Sequence, residues 1–251
     1  MKRTLTWSDD GSPTLFCETF GETYHSDAGA IEESIHVFLE AGLEYHKQTH
    51  PDQAQRHIVE YGFGTGLNVL LTLDKYIQLK NKEIQTHTIC FRTLEKYPLV
   101  AEEYHSLAFP AGEHLVQPEW LQRLHEVPWN VPTELVPGFW LLKENRDFLE
   151  VTAQDLTSIP GTANPDKMAG FCQGVDVVYF DAFSPGSQPE LWETPVFRTL
   201  AEAGAPGCTL VTYSARGSVK QALRAVGFEV HRLPGAGRKR HMVRGILQKI
   251  V

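Results

Sequence analysis

From Ile58 to Leu73 the chain reads IVEYGFGTGLNVLLTL: a strand-like apolar run, an E-x-G-x-G-x-G turn, then leucines at helical spacing. Gly62, Gly64 and Gly66 permit positive φ and a close approach of backbone to a ligand, at a helix N-terminus that favours negative or polar groups. The spacing departs from the dinucleotide pattern G-x-G-x-x-G, because the third glycine comes one residue early.

The rest of the chain keeps the α/β rhythm that such a turn opens. Strands are expected at His57–Tyr61, His87–Leu94, Phe139–Leu142, Val175–Phe180, Thr209–Tyr213 and Phe228–Leu233. Helices are expected at Leu67–Leu79, from about Pro98, at Pro195–Ala203 and at Ser218–Val226. VDVVYF at 175–180 is apolar without alternation, as a central parallel strand buried on both faces should be. The last segment, His241–Ile250, is expected to pair antiparallel with its predecessor across Pro234–Gly237. Before Arg56, a short strand (Thr14–Glu18) and a helix carrying Ile31, Ile35, Phe38, Leu39 and Leu43 form an N-terminal elaboration. The predicted division is therefore residues 1–55 and a core of 56–251. Residues 105–138, with five prolines, read as an insertion, and 157–174 as a long loop.

A chain of 251 residues can bury a core without disulfides. Cys17, Cys90, Cys172 and Cys208 form no CxxC pair, so reduced, buried thiols are expected, with no metal site. No apolar run approaches the roughly 20 residues of a membrane span, and MKRTLTWSDDGSP lacks a signal-peptide core, so the expected location is cytoplasmic. The net charge of −8 is unevenly placed. Residues 216–251 hold nine basic residues and one acid, Glu229, giving +8, and leave −16 on the rest. A segment of that kind is either a docking surface for a polyanion or a solvated face.

Three carboxylates are expected at the carboxyl edge of the sheet, where open α/β folds bind ligands. Glu95 follows the second strand of the core, where a ribose diol is held in such folds; the alternative is a helix cap. Asp147 follows the third, at a position that suits a helix cap. Asp181 ends VDVVYF and precedes the rigid turn Phe183-Ser184-Pro185. It is suited to take a proton from an amine or to orient it, or else it caps its own turn.

The glycine turn resembles the first motif of class I S-adenosylmethionine-dependent methyltransferases. With YHSDAGAIEESIHVFLEAGL, LEKYPL, DAFSPGSQPELW, TLVTYSARGSVKQALRAVGFEV and GAGRKRHMVRG in order, the chain resembles the tRNA 5-aminomethyl-2-thiouridine methyltransferases over about Tyr24–Gly245. This family occurs alone (MnmD) or fused to a flavin-dependent oxidase (MnmC). The resemblance implies a Rossmann-like, largely parallel seven-stranded sheet with an antiparallel C-terminal strand, and S-adenosyl-L-methionine as cofactor. It implies N-methylation of the aminomethyl group on a tRNA wobble uridine.

Carried onto this chain, Glu60, Gly62, Gly64, Thr65, Gly66, Glu95, Asp147 and Asp181 would face the cofactor, with Asp181 catalytic. Phe183 would meet the base, and Arg238, Lys239 and Arg240 the phosphates of the anticodon stem-loop; Trp129 and Trp192 are further stacking candidates. Tyr24, Glu33 and His36 would wall the pocket. Ser187 stands where the bifunctional form commonly has lysine, and His241 where an acid is common. Only six residues follow Gly245, so no oxidase activity is expected. The competing expectations are a methyltransferase or aminopropyltransferase acting on a small free amine, and a non-catalytic RNA-binding module.

Overall fold

The structure is a computed structural model that describes residues 1–26, 29–82, 87–112, 115–159, 169–237 and 239–248. Its centre is an eight-stranded sheet of order β10-β11-β9-β8-β4-β5-β7-β6. The strands are β4 (Gln55–Tyr61), β5 (Thr88–Glu95), β6 (Thr133–Val136), β7 (Phe139–Asn145), β8 (Val175–Phe180), β9 (Gly204–Thr212), β10 (Phe228–Pro234) and β11 (His241–Leu247). Strands β9, β8, β4, β5 and β7 run parallel. The hairpin β10–β11 pairs from Phe228↔Leu247 to Pro234↔His241, and β11 lies antiparallel on β9, as its sequence suggests.

The expected count of seven strands falls short by one. Thr133–Val136 lies in the proline-rich stretch read as an insertion, yet it folds back on β7 as an antiparallel edge strand. Pro132 and Pro137 bracket this strand without entering it, so no ladder N–H is lost to them. The same stretch contributes a helix, α5 (Trp120–Glu126), whose Leu121 and Leu124 are buried.

Helices pack on both faces of the sheet. One face buries Ile58, Phe91, Val177 and Tyr179 beneath α3 (Leu67–Asn81), α5 and the N-terminal segment. The other buries Val59, Tyr61, Val178 and Phe180 beneath α7 (Thr194–Ala203) and α8 (Gly217–Ala225). The short helices α4 (Ala101–His105) and α6 (Ala153–Leu156) follow β5 and β7. Helix α4 starts later than Pro98 suggests, because Val100 is extended and Glu103 reaches back to its N–H over 2.9 Å.

Residues 1–55 begin with a three-stranded antiparallel sheet of β1 (Arg3–Trp7), β2 (Pro13–Cys17) and β3 (Glu22–Thr23). A helical run then passes from α1 (Ala30–Ser34) through a wider, π-wound segment (Ile35–Glu44) to α2 (Tyr45–Thr49). Gly42 lets this run press against the sheet: a Cβ there would sit 2.9 Å from Val211 Cγ2 and 3.2 Å from Tyr179 Cε1. Cys17, Cys90 and Cys208 are buried as expected, whereas Cys172, on a short 3₁₀ turn, is exposed. Among the described residues no helix is long and apolar enough to cross a membrane.

The chain order reverses at β4. From it the chain builds outward through β5 and β7, then returns to its other side with β8 and β9. The carboxyl ends of β4 and β8 therefore splay apart at a switch point, the position where open α/β sheets bind ligands.

Candidate active site

A cavity of about 630 Å³ opens at that switch point. Its floor is the turn from Gly62 to Thr65. Asp181 N–H donates to Tyr61 C=O over 3.0 Å, joining the ends of β8 and β4. Gly62 lies so close that a Cβ would fall 2.5 Å from Asp181 O, at φ +104°. No other residue type fits there.

The carboxylates meet as the sequence suggests. Glu95, Asp147 and Asp181 all line the cavity with Gly62, Gly64 and Thr65. Glu95 accepts from Gly64 N–H (3.0 Å) and Tyr97 N–H (2.8 Å), which fixes its carboxyl against the glycine turn and leaves lone pairs free on each oxygen. Burial raises its pKa, and the backbone donors oppose that shift. Asp147 caps the turn Phe148–Glu150 through Leu149 N–H (3.1 Å) and pairs with Lys96 at 2.5 Å. Burial opposes ionisation, but the Lys96 and Leu149 hydrogen bonds prevail and hold it below the usual carboxylate range. The capping and cavity roles of Asp147 thus coexist.

Asp181 has the most perturbed carboxyl on the cavity wall. Burial pushes its pKa up to about 7. The hydrogen bond from Asn68 Nδ2 (2.8 Å) and the Lys239 ammonium oppose the shift, while Glu33 adds to it. A carboxylate poised near neutrality in a cleft has the properties of a general base.

Two glycine-motif residues lie elsewhere. Glu60 is fully buried and is not on the cavity wall. Alternation along β4 turns it into the core, where Thr93 Oγ1 donates to Oε2 at 2.6 Å and Oε1 has no partner. Burial pushes its carboxyl well above the usual carboxylate range, against the Thr93 hydrogen bond. Gly66 also sits behind the wall, in the left-handed conformation that starts α3.

The basic triplet is divided. Lys239 turns into the cavity, ion-paired to Glu33, with its Nζ 4.1 Å from the centroid of Tyr213. Arg240 is exposed at the β10–β11 turn, where its C=O accepts from Gly235 N–H at 3.2 Å. Arg238 lies outside the described residues. Lys239 is therefore engaged with Glu33 rather than standing as a free cation beside Arg240.

Aromatic residues close the far wall. Phe183 packs on Phe20 (4.6 Å between centroids) and edge-on to Tyr24 (5.0 Å). Trp192 does not reach the cavity as a stacking platform: it is buried, and its Nε1–H donates to Phe183 C=O at 2.8 Å. Trp129 packs on Phe63 and Lys143, away from the cavity wall. Of the N-terminal candidates, Tyr24 and Glu33 line the cavity, whereas His36 lies outside it, bonded to Pro234 C=O at 2.9 Å.

Several residues that no motif in the sequence marks also shape the site. Glu22 accepts from Ser184 N–H (3.0 Å) and Ser184 Oγ, tying the turn after Asp181 to the N-terminal sheet. His25 Nε2 is hydrogen-bonded to Thr65 Oγ1 (2.6 Å), and His125 Nε2–H donates to Thr65 C=O (2.9 Å), so the glycine turn is held from two sides. Burial lowers both imidazoles to about 4, keeping them neutral. Only Asn68 had a visible signal: it is a lone amide among Leu67, Val69 and Leu70 in the first turn of α3.

A Rossmann-like sheet with a glycine turn and three edge carboxylates around one cavity defines the class I methyltransferase architecture. Residues 136–248 match the profile of a family described as S-adenosyl-L-methionine-dependent methyltransferase. The chain is 34% identical over 96% of its length to the tRNA 5-methylaminomethyl-2-thiouridine biosynthesis bifunctional protein MnmC of Aromatoleum aromaticum. It is 32% identical over 93% of its length to the MnmC of Nitrosospira multiformis. In each case it spans 35% of the relative's length, about a third of the curated relatives it matches. Among solved structures, MnmC2 from Aquifex aeolicus superposes with a TM-score of 0.73 at 27% identity, covering 100% of this chain and 72% of that one. Spermidine synthase from Thermotoga maritima, at TM-score 0.51 and 10% identity over 98% of this chain and 72% of its own, shares the fold.

Proposed function

We propose that the chain transfers a methyl group from S-adenosyl-L-methionine to the primary amine of a 5-aminomethyl-2-thiouridine at the wobble position of tRNA. The product is 5-methylaminomethyl-2-thiouridine. The names of the MnmC relatives point to this nucleoside. The observation that carries the reading is Asp181, a half-buried carboxylate poised near neutrality between the glycine turn and the Phe20–Tyr24–Phe183 wall. Residues 1–55 act as the elaboration that supplies Phe20 and Tyr24 of that wall to a core of 56–251.

The donor set fits the cofactor. Glu95 keeps lone pairs for a ribose diol, Asp147 with Phe148 and Leu149 forms a mixed polar and apolar wall for an adenine, and the Gly62–Thr65 backbone leaves room for a methionine moiety. Bound there, S-adenosyl-L-methionine supplies an electrophilic methyl group. The residues of this chain prepare the acceptor. An alkylammonium has no lone pair, so a proton must leave nitrogen, and Asp181 is placed to receive it. Asn68 orients that carboxylate, and the transfer requires that amine and methyl donor meet in a near-attack arrangement. Phe183 offers a ring face to a splayed base, the usual way single-stranded loops are read. A tRNA substrate also agrees with a cytoplasmic location.

The test is incubation with labelled cofactor and tRNA bearing the aminomethyl precursor, followed by nucleoside mass spectrometry. Label in the methylaminomethyl nucleoside is expected. Methylation of a free small amine with none on tRNA would overturn the reading.

A further inference from the structure

The fold uses the cations of the C-terminal segment unequally. Lys239 is paired inside the cavity with Glu33. Arg244 lies over the Tyr45 ring, 3.4 Å from its centroid. Arg216, Lys220 and Arg224 are treated differently. Val219, Ala222 and Leu223 bury one side of α8, and the three cations follow the other flank at four-residue spacing. At 1.5 Å rise per residue they span roughly 12 Å. None of the three is ion-paired among the described residues.

This line begins at the cavity. Arg216 lies against the turn that follows Asp181, so that a Cβ on Gly186 would be 3.2 Å from Arg216 Nη2. The neighbouring strand extends it. Arg232 of β10 is exposed and shares a strand face with Phe228 and Val230, the face packed against α8. Glu229 belongs to the opposite face, where Gln248 Nε2 donates to it and His231 Nε2 lies 3.2 Å away. Glu22, already bonded to Ser184, interacts electrostatically with Arg216 at the start of the line without forming an ion pair with it.

We propose that the flank of α8 formed by Arg216, Lys220 and Arg224, with Arg232 beside it, is the docking surface for the sugar-phosphate backbone of the tRNA. The inference rests on the proposed function: a nucleoside whose base enters the cavity leaves its flanking phosphates at the rim, where Arg216 stands. Guanidinium and ammonium groups spaced along a helix contact phosphates and fix register without reading bases. The inference also moves the docking surface away from Arg238–Arg240, where the sequence alone placed it, to a helix that leads out from the catalytic turn.

The experiment compares the wild type with Arg216→Gln/Lys220→Gln/Arg224→Gln and with a matched control, Lys75→Gln/Lys80→Gln/Lys82→Gln, along the second half of α3 and its C-cap. tRNA affinity is measured across a salt series, with S-adenosyl-L-methionine affinity and thermal melting as checks on folding. The α8 variant is expected to lose tRNA affinity by about tenfold or more at low salt. The slope of log K against log salt should fall by about 2, near the value for three lost phosphate contacts. The control should match the wild type. Equal losses in both variants, or an α8 variant with wild-type affinity and slope, would overturn the docking surface while wild-type methylation of tRNA upheld the function. A wild type that neither binds nor methylates tRNA would overturn both.

Discussion

Asn68 Nδ2 donates to Asp181 Oδ2 over 2.8 Å, joining the first turn of α3 to the end of β8 across the cavity floor. This bond favours the ionised carboxylate against a burial cost that pushes the pKa to about 7. Activity should therefore rise with pH through an acid limb near 7, as Asp181 becomes able to accept a proton. In Asn68→Ala that limb should move up by roughly 1 to 2 pH units, the worth of a charge-assisted hydrogen bond. Asp181→Asn should lower turnover roughly 10²- to 10⁴-fold while S-adenosyl-L-methionine binds within about twofold of wild type. The readouts are the kcat/KM profile and a calorimetric titration. An unmoved limb in Asn68→Ala would show that Asp181 is not the titrating base.

The same burial makes Asp181 a liability for stability. Its folded pKa of about 7 stands above the ordinary 3.8, so the folded chain holds a proton that the unfolded chain releases. Stability contributed by the protonated carboxyl is complete below about pH 4 and lost as pH rises to about 7. The loss is at most about 4 kcal/mol, at roughly 1.4 kcal/mol per unit. Asp181→Asn, which carries no such penalty, should melt several degrees above the wild type at pH 8 and close to it at pH 4.5. Equal melting differences at the two pH values would contradict the buried, near-neutral carboxyl.

Lys239 and Glu33 act on Asp181 with opposite signs. After burial and Asn68, Glu33 raises the Asp181 pKa and Lys239 lowers it, and the two side chains are ion-paired beside Tyr213 and near the neutral His25. Glu33→Gln should shift the acid limb to lower pH and Lys239→Gln to higher pH. Each shift should be a few tenths of a unit, in keeping with a partly solvated pair. Shifts of the same sign in both variants would mean that the pair acts through loop structure rather than charge.

What the sequence made legible was set by local chemistry. The strand-turn-helix at Gly62–Gly66 and the all-apolar VDVVYF depend on residues within one short window, and the structure forms both. The carboxylates Glu95, Asp147 and Asp181 could be placed because strand ends in a parallel sheet converge on one edge. The misreadings share a different cause. Thr133–Val136 becomes a strand only because the edge of β7 is open to it, and Lys239 leaves its triplet only because Glu33 is brought to it across 206 residues. Glu22, His25 and His125 reach the site through tertiary packing that no spacing rule encodes.

Gly62 is the least replaceable point of the turn. Alanine there would combine φ +104° with a Cβ 2.5 Å from the Asp181 carbonyl oxygen, a backbone atom that cannot move without disturbing the β4–β8 junction. Strain of this kind costs on the order of 1 to 3 kcal/mol. Gly62→Ala should melt several degrees lower and lose most S-adenosyl-L-methionine affinity. By contrast Gly112→Ala, with nothing within 4 Å of its Cβ position, should leave both unchanged. Normal cofactor binding by Gly62→Ala would remove the glycine turn from the cofactor site.

Glu22 should control the acceptor rather than the cofactor. Its carboxylate holds both the N–H and the hydroxyl of Ser184, next to Phe183, whose ring forms the wall opposite the glycine turn. Cutting these bonds frees the turn after Asp181 without touching Glu95 or Asp147. In Glu22→Ala, KM for tRNA should rise several-fold and kcat should fall, because Phe183 and the Asp181 backbone lose a common anchor, while S-adenosyl-L-methionine affinity stays within about twofold. Glu22→Gln keeps one oxygen acceptor of the same reach and should recover part of the loss. Steady-state kinetics with tRNA, beside calorimetry with the cofactor alone, separate the two effects. A fall in cofactor affinity matching the loss in kcat/KM would place Glu22 with the cofactor site instead.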